Sequence, residues 1–207
     1  MDLMKVIEEA VKPKQGNKPK YEEPHVILAL ETINKEQPIG RLSLMKKLNL
    51  SEAPIKTLLK RLREIGIIKV DKVGGAELTE EGKNLVDEWN NKIFISHVNL
   101  NSIKWKSIEI ILKNGRNILD KIGVIPLRDS IIKTGADSVL IAILTDKGIE
   151  LPPKTDELSI GDLLNEIKNN CTFCNKNDLI VFIIPEDNYI AYKVALLLIK
   201  YESGISS

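Results

Sequence analysis

Apolar residues recur at helical spacing through the first half of the chain. Residues 24–36 and 51–65 place them at positions i, i+3, i+4 and i+7, which predicts two amphipathic helices. A shorter segment, 41–48, predicts a third helix between them, and 3–12 predicts one before them. The side chains predicted to face inward from 41–48 are Leu42, Met45 and Leu48.

The pattern then changes to one typical of a β-hairpin followed by a helix. Residues 67–73 and 76–79 are strand candidates, and Gly74-Gly75 between them suits a tight turn. Thr79 is a predicted N-cap for the next helix, in which Gly82 is an early, tolerated glycine. The apolar face of that helix is predicted to consist of Leu85, Val86 and Trp89. Helix, helix, turn, helix, strand, strand, helix is the order of a winged helix-turn-helix.

Residues at the end of the hairpin strengthen this interpretation. The segment Leu78-Thr79-Glu80-Glu81-Gly82 resembles the Leu-Thr-x-x-Gly ending common in winged-helix regulators of the multiple-antibiotic-resistance and related groups. The resemblance covers about residues 24–91 and implies a DNA-binding function.

The second half alternates strand-like and helical segments. Strands are predicted at 93–98, 105–112, 139–144, 149–151 and 179–184, and helices at 118–122, 127–134, 159–168 and 188–201. The predicted fold class is therefore α+β, with a winged helix-turn-helix at residues 1–91 and a small α/β sandwich-like domain at residues 92–207. This second domain is expected to sense an effector, to dimerise, or to do both.

Charge is concentrated on the helix-turn-helix, although the net charge of the 207 residues is only +1. Seven basic residues and one acidic residue, Glu52, lie between Arg41 and Arg63. On the 51–65 helix, Lys60 and Arg61 are predicted to point outward beside the apolar stripe, as a DNA-facing surface requires. The predicted DNA-binding residues are Arg41, Lys46, Lys47, Lys56, Thr57, Lys60, Arg61, Arg63 and Lys72.

A second distinctive stretch lies at residues 126–137. It resembles the Arg-Asp…Gly-Ala stretch of an archaeal family in which a winged helix precedes a C-terminal domain of unknown function, and this resemblance implies a regulator. Arg128 could clamp an anionic effector and Gly135 could allow close approach of a ligand. The candidate ligand-binding residues are Arg128, Asp129, Gly135 and Asp137. Alternatively, Arg128 pairs with Asp129 and Gly135 ends a helix.

Cys171 and Cys174 form a Cys-x-x-Cys pair with three open interpretations. They could supply half of a zinc site, form a redox disulfide, or be small loop residues joined by a local disulfide. The two histidines, His25 and His97, are distant in sequence, so no metal site and no cofactor are predicted.

Phosphate-binding glycine loops, nucleophile elbows and metalloprotease motifs are missing from the sequence, so no catalytic residue is predicted. Without an apolar run long enough for a signal or a membrane span, a cytoplasmic protein is expected. The predicted partners are double-stranded DNA, a second copy of the chain and a possible small-molecule effector, with no membrane. Alternatives are a winged helix fused to an enzyme that modifies a small molecule, and a protein-interaction module. The apolar strands 139–144 and 179–184, or the stripe around Trp89, could supply the homodimer surface.

Overall fold

A computed structural model describes residues 2–14, 16–71, 74–153 and 157–204, with the backbone alone for 157–159. The chain divides into two compact units, Met1–Asn90 and Asn91–Ser207. Each unit has its own buried core of mainly aliphatic side chains.

The first unit has helices packed beside a two-stranded hairpin. Its elements are α1 (Leu3–Val11), α2 (Glu23–Glu36), α3 (Arg41–Leu48), α4 (Glu52–Ile65), β1 (Ile68–Asp71), β2 (Gly75–Leu78) and α5 (Glu80–Lys92). This order agrees with the predicted one. Helix α1 packs against α2 and α4, while α3 packs against the same two helices. Helix α4 is therefore held from two sides, and one strip of its surface remains exposed.

Helix α3 is rotated from its predicted orientation. Leu44 and Leu48, four residues apart, are its buried side chains, whereas Leu42 is 73% exposed and Met45 is half-buried. The prediction of Leu42 as an inward residue is wrong. In so short a helix, Leu42, Leu44, Met45 and Leu48 fit more than one apolar face, and only packing against α2 and α4 selects between them.

The β1–β2 hairpin is antiparallel and is attached to the segment between α2 and α3. Ile68 is opposite Leu78, and Asp71 is opposite Gly75. Close to the turn, Ile39 and Ala76 exchange backbone hydrogen bonds of 3.0 and 2.8 Å, and at the other end of β2 the Gln37 side chain accepts a 2.8 Å bond from the Leu78 amide. Gly75 has a φ of +99°, and a Cβ there would lie 2.5 Å from the Ile39 carbonyl oxygen. Only glycine fits this contact.

Gly82 has a packing role that the sequence interpretation missed. Thr79 caps α5 by accepting a 3.1 Å bond from the Gly82 amide, as predicted, and its hydroxyl also donates to the Ile67 carbonyl. A Cβ on Gly82 would lie 2.2 Å from that same Ile67 carbonyl oxygen. The threonine and the glycine of the Leu-Thr-x-x-Gly motif thus bring the start of α5 directly against the backbone before β1.

We therefore expect Gly82→Ala to destabilise the first unit although alanine favours helix formation. The added methyl group must displace backbone, and overpacking of this kind costs about 1–3 kcal/mol. Thermal unfolding followed by circular dichroism measures the effect. Gly161→Ala in α8 is the matched control, because nothing lies within 4 Å of a Cβ there. Equal melting temperatures for Gly82→Ala and the wild type would contradict the assigned contact.

The second unit contains a five-stranded antiparallel sheet in the order β3-β4-β7-β5-β6. Its strands are β3 (Ile93–Leu100), β4 (Trp105–Leu112), β5 (Ser138–Thr145), β6 (Gly148–Glu150) and β7 (Leu179–Ile184). Its helices are α6 (Arg116–Ile122), α7 (Val124–Ile132), α8 (Glu157–Asn170) and α9 (Asn188–Glu202), with a 3-10 turn at Asn101–Ile103. The predicted α+β class is confirmed. Helix α8 begins at Glu157, before Ser159, which was predicted as its N-cap.

Helices cover both faces of this sheet. On one face, Leu163 and Ile167 of α8 pack on Ile180 and Phe182 of β7. On the other face, α9 packs on β4 and α7 packs on β5. The apolar strands are thus buried within one chain and offer no surface for a dimer.

The stripe on α5 does not offer a dimer surface either. Leu85, Val86 and Trp89 are each at most 2% exposed in the single chain. The prediction that this stripe is available to a second copy is wrong.

Candidate nucleic-acid interface

An open groove of about 450 Å³ lies between α4 and the β1–β2 hairpin. The start of α3 closes one end through Gly40 and Arg41. Leu59 of α4 and Val70 of β1 supply apolar lining, and Asp71 supplies an acidic group. The hairpin can lie beside α4 in this way because the Ile39–Ala76 bridge holds β2 in place close to its turn.

Four of the predicted DNA-binding residues line this groove. They are Arg41, Lys56, Lys60 and Arg63. The last three occupy positions i, i+4 and i+7 of α4, so a single helical face presents them. All four side chains are exposed, as contact with phosphates or base edges requires.

Acidic residues partly neutralise these cations. The Glu52 carboxylate lies 2.8 Å from the Lys56 ammonium and 3.6 Å from the Arg41 guanidinium, and the hydrogen bond from Lys56 lowers the pKa of Glu52. Glu64 lies 3.9 Å from the Lys60 ammonium. Exposed pairs of this kind contribute little to stability, so an incoming phosphate can replace the carboxylate.

Arg63 differs from its neighbours on the groove. Among the described residues, no carboxylate lies within ion-pair distance of the Arg63 guanidinium. After the larger effect of the hydrogen bond from Lys14, the charge of Arg63 also contributes to lowering the pKa of Glu64. Arg63 therefore offers a full positive charge and a planar fork of donors, which suits phosphate or a guanine edge.

Arg61 is not part of the groove, and the prediction that it points outward is wrong. It is only 5% exposed, and its Nη1 donates to the Ala10 and Lys12 carbonyl oxygens at 2.9 and 2.6 Å. These carbonyls form the C-terminal end of α1, where the helix dipole favours a cation. Arg61 points inward because α1 packs on that side of α4, a contact between residues 51 positions apart.

Three further predicted residues, Lys46, Lys47 and Thr57, lie away from the groove lining. Lys46 and Lys47 are exposed in the last turn of α3, and Lys47 pairs with Glu36 at 2.6 Å. The Thr57 hydroxyl donates to the Ala53 carbonyl within α4. Lys72 lies outside the described residues.

One basic contact to α4 was not predicted from the sequence. Lys14, in the loop after α1, lies 3.1 Å from Glu64 and lowers the pKa of that carboxyl. The lysines of this loop were visible in the sequence, but nothing local indicated that the loop returns to the end of α4. The pairing of Glu52 with Lys56, by contrast, could have been inferred from their i, i+4 spacing.

The candidate effector residues of the second unit are all exposed. Arg128 and Asp129 lie on α7, and neither takes part in an ion pair within the described part of the chain. Gly135 has a φ of +114° at the turn into β5, and the Asp137 amide donates to the Ile184 carbonyl at 2.7 Å. A ligand-binding function for these residues stays a prediction.

Cys171 and Cys174 form a disulfide just after α8. Within the described residues, no group of three or more acidic, histidine or cysteine side chains is arranged to hold a metal ion. In the same part of the chain, no helix is both long and apolar enough to cross a membrane.

Each unit contains a stretch that matches a known protein family. The family described as "CggR N-terminal DNA binding domain" matches residues 26–93, and "Domain of unknown function (DUF4443)" matches residues 103–202. No curated protein matches the chain. Among solved structures, the hypothetical protein PH0730 from Pyrococcus horikoshii OT3 shares the fold, with a TM-score of 0.66 and 22% identity over 90% of this chain and 96% of that one. This is thus an α+β protein whose N-terminal domain matches a DNA-binding family and whose C-terminal domain matches the DUF4443 family of unknown function, which confirms the two-domain recognition made from the sequence.

Proposed function

We propose that the protein is a sequence-specific transcriptional regulator that binds double-stranded DNA through the groove between α4 and the β1–β2 hairpin. The observation that carries this proposal is the presence of four exposed cations in that groove, within the region that matches a DNA-binding family. In this winged-helix arrangement, α4 enters the major groove and the hairpin lies along the adjacent backbone.

The charges of the groove support a division of roles. On binding, Lys56 and Lys60 leave the Glu52 and Glu64 carboxylates and pair with DNA phosphates. Because each such contact releases counterions from the DNA, the affinity falls as the salt concentration rises. Arg63 needs no such exchange and is the strongest candidate for a base contact. Leu59 and Val70 give the groove an apolar component that suits a thymine methyl group.

The salt dependence of binding to a mixed-sequence duplex of about 30 base pairs tests the interface. We expect Lys56→Ala combined with Lys60→Ala to lower the slope of log affinity against log salt by about 2, and to weaken binding roughly tenfold per lysine near 0.1 M salt. Fluorescence anisotropy of a labelled duplex measures both quantities.

Two matched variants complete this experiment. Lys106→Ala with Lys121→Ala removes the same charge from exposed positions of the second unit and should leave the slope unchanged. Glu52→Gln should strengthen binding, because it releases Arg41 and Lys56. If both lysine pairs lowered the slope equally, binding would depend on overall charge and not on the groove.

Selection from a random-sequence pool tests whether the protein is a regulator of particular sites. An enriched motif supports sequence-specific regulation. A pool that stays random after selection, with tight binding retained, would instead indicate an architectural protein.

The C-terminal domain, in this proposal, binds an effector around Arg128, Asp129, Gly135 and Asp137, or joins two chains, and carries no catalytic site. The whole protein acts in the cytoplasm. A homodimer fits DNA half-sites related by two-fold symmetry. Its candidate surface is α7, where Ile125 and Ile132 are 68% and 42% exposed beside Arg128 and Asp129.

We expect sedimentation equilibrium at micromolar concentrations to give a mass twice that of one chain. Ile125→Glu should convert the dimer to a monomer without unfolding it, since this side chain already faces solvent. A monomeric wild type at every loading would contradict the dimer and would require a single asymmetric DNA site.

A further inference from the structure

We propose that Cys171 and Cys174 are a reversible redox pair that exchanges electrons with a dithiol reductant, and that Phe173 transmits the state of the pair to the start of β3. The two Cα atoms are 5.2 Å apart, which is within the range that a disulfide requires. The turn is formed by the backbone, since the Cys171 amide donates to Ile167 and the Cys174 amide donates to Cys171.

The pair is placed where a thiol reagent can reach it. Both cysteines are half-buried against the α8 face of the sheet, while Thr172 and Phe173 between them are exposed. Reactive cysteines occupy partly exposed, positively charged surroundings, whereas fully buried ones are inert. A nearby cation is Lys113, whose ammonium donates to the Phe173 carbonyl between the two cysteines and whose charge is partly neutralised by Asp178, 3.0 Å away.

The chain on either side of the pair does not depend on the disulfide for its position, so the bond constrains only the turn between Cys171 and Cys174. Asp178 is 1% exposed and accepts hydrogen bonds from the Asn114 amide at 2.9 Å, the Asn175 amide at 2.7 Å and the Lys113 ammonium at 3.0 Å. These bonds anchor the chain on the far side of Cys174. Moreover, a disulfide that closes so short a loop removes little entropy from the unfolded chain. The bond can therefore open and close on a folded domain.

The reaction is thiol–disulfide exchange. A thiolate of the reductant attacks one sulfur, the Cys171–Cys174 bond breaks, and the other cysteine leaves as a thiolate that takes up a proton. The second thiol of the reductant then resolves the mixed disulfide. Two electrons and two protons pass to the protein, and the reductant becomes a disulfide.

Phe173 gives this chemistry a structural output. Its ring is 58% exposed, and its centroid lies 4.7 Å from that of Phe94 in β3. Strand β3 begins at Ile93, directly after the last residue of α5. Breaking the Cys171–Cys174 bond frees the turn that holds the Phe173 side chain on Phe94. The first residues of β3 then lose a packing partner.

Equilibration with a series of ratios of reduced to oxidised dithiothreitol tests the pair. The full chain is held with a chelator, quenched with acid, alkylated and analysed by mass spectrometry. We expect a single two-electron curve, identical from both directions, with both cysteines alkylated or neither. A bond that never forms, or never opens on the folded chain, overturns the proposal. Protection from alkylation that occurs only when chelator is omitted identifies a metal site and also overturns it.

Hydrogen exchange tests the transmission to β3. Reduction should speed exchange several-fold in peptides covering residues 93–100, and Cys171→Ser should mimic reduction. Phe173→Ala should abolish the difference between the two redox states and should shift the redox curve towards the reduced form, because it removes packing that only the oxidised form has. A difference that persists in Phe173→Ala, or that is absent from the wild type, overturns this part of the proposal. DNA binding plays no part in either readout.

Discussion

Arg61→Met should destabilise the N-terminal domain by about 3 kcal/mol, because it removes two charge-assisted hydrogen bonds to the end of α1. Methionine retains most of the apolar stem, so the loss reflects the guanidinium. Tyr21 should limit the defect, because its hydroxyl also donates to the Ala10 carbonyl at 2.7 Å and burial, which raises its pKa to about 12, keeps that hydroxyl protonated. Urea denaturation monitored by circular dichroism gives the free energy of unfolding.

Arg63→Met is the matched control for this experiment, since the two residues lie only two positions apart on α4. Its side chain is exposed, so we expect the free energy of unfolding to change by less than about 0.5 kcal/mol. Its DNA affinity should fall roughly tenfold near 0.1 M salt, with a salt slope lower by about 1. Arg61→Met, measured under conditions in which it stays folded, should retain the wild-type slope of log DNA affinity against log salt. The reverse outcome, with Arg61 affecting the slope and Arg63 affecting stability, would invert the assignment of the α4 surface.

Glu109 should make the C-terminal domain less stable as the pH rises through neutrality. It lies in β4, is 0% exposed, and burial raises its pKa from 4.5 to about 7, against the opposing effect of a 3.2 Å hydrogen bond from Ser96. The folded state therefore holds a proton that the unfolded state releases. The stabilisation is complete below pH 4.5, decreases as the pH rises to about 7, and amounts to about 3 kcal/mol.

Glu109→Gln tests this pH dependence, because the amide has a similar shape and does not ionise. Near pH 4 the variant and the wild type should have similar stability, and near pH 8 the variant should be more stable by up to about 3 kcal/mol. Urea denaturation at a series of pH values measures the difference. Ser96→Ala removes a bond that favours the charged carboxylate, so it should extend the decline to higher pH and make the total loss of stability larger. Parallel curves for Glu109→Gln and the wild type would show that Glu109 does not titrate in this range.

The elements that the sequence predicted best are those with a strong local period. The i, i+4 stripe of α4 and the apolar run of β7 each permit one arrangement, and both appear where expected. The hairpin and the cationic face of α4 at Lys56, Lys60 and Arg63 also followed from local patterns. By contrast, Leu42 and Leu44 lie on nearly opposite faces of α3, and only the neighbouring helices decide which of the two is buried.

The features that the sequence did not predict depend on contacts between residues that are distant in sequence. Arg61 points inward because α1 lies 51 residues before it and presents bare carbonyl groups. Glu109 is buried because both faces of the sheet are covered, and its strand showed poor alternation that gave no warning of this. The two cysteines of the disulfide are only three positions apart in sequence, yet their environment depends on Lys113, which is 60 residues from Phe173. No local pattern encodes such contacts.

The hydrogen bonds that residues 37 and 39 make with β2 have a consequence for the thermodynamics of DNA binding. Ile39, Gln37 and Gly75 fix one wall of the groove before any ligand arrives. A wall that is already ordered loses little conformational entropy on association, so more of the contact energy remains as affinity. Complex formation should therefore resemble the docking of a rigid body, with an association rate governed by electrostatic attraction and not by a slow rearrangement of the protein.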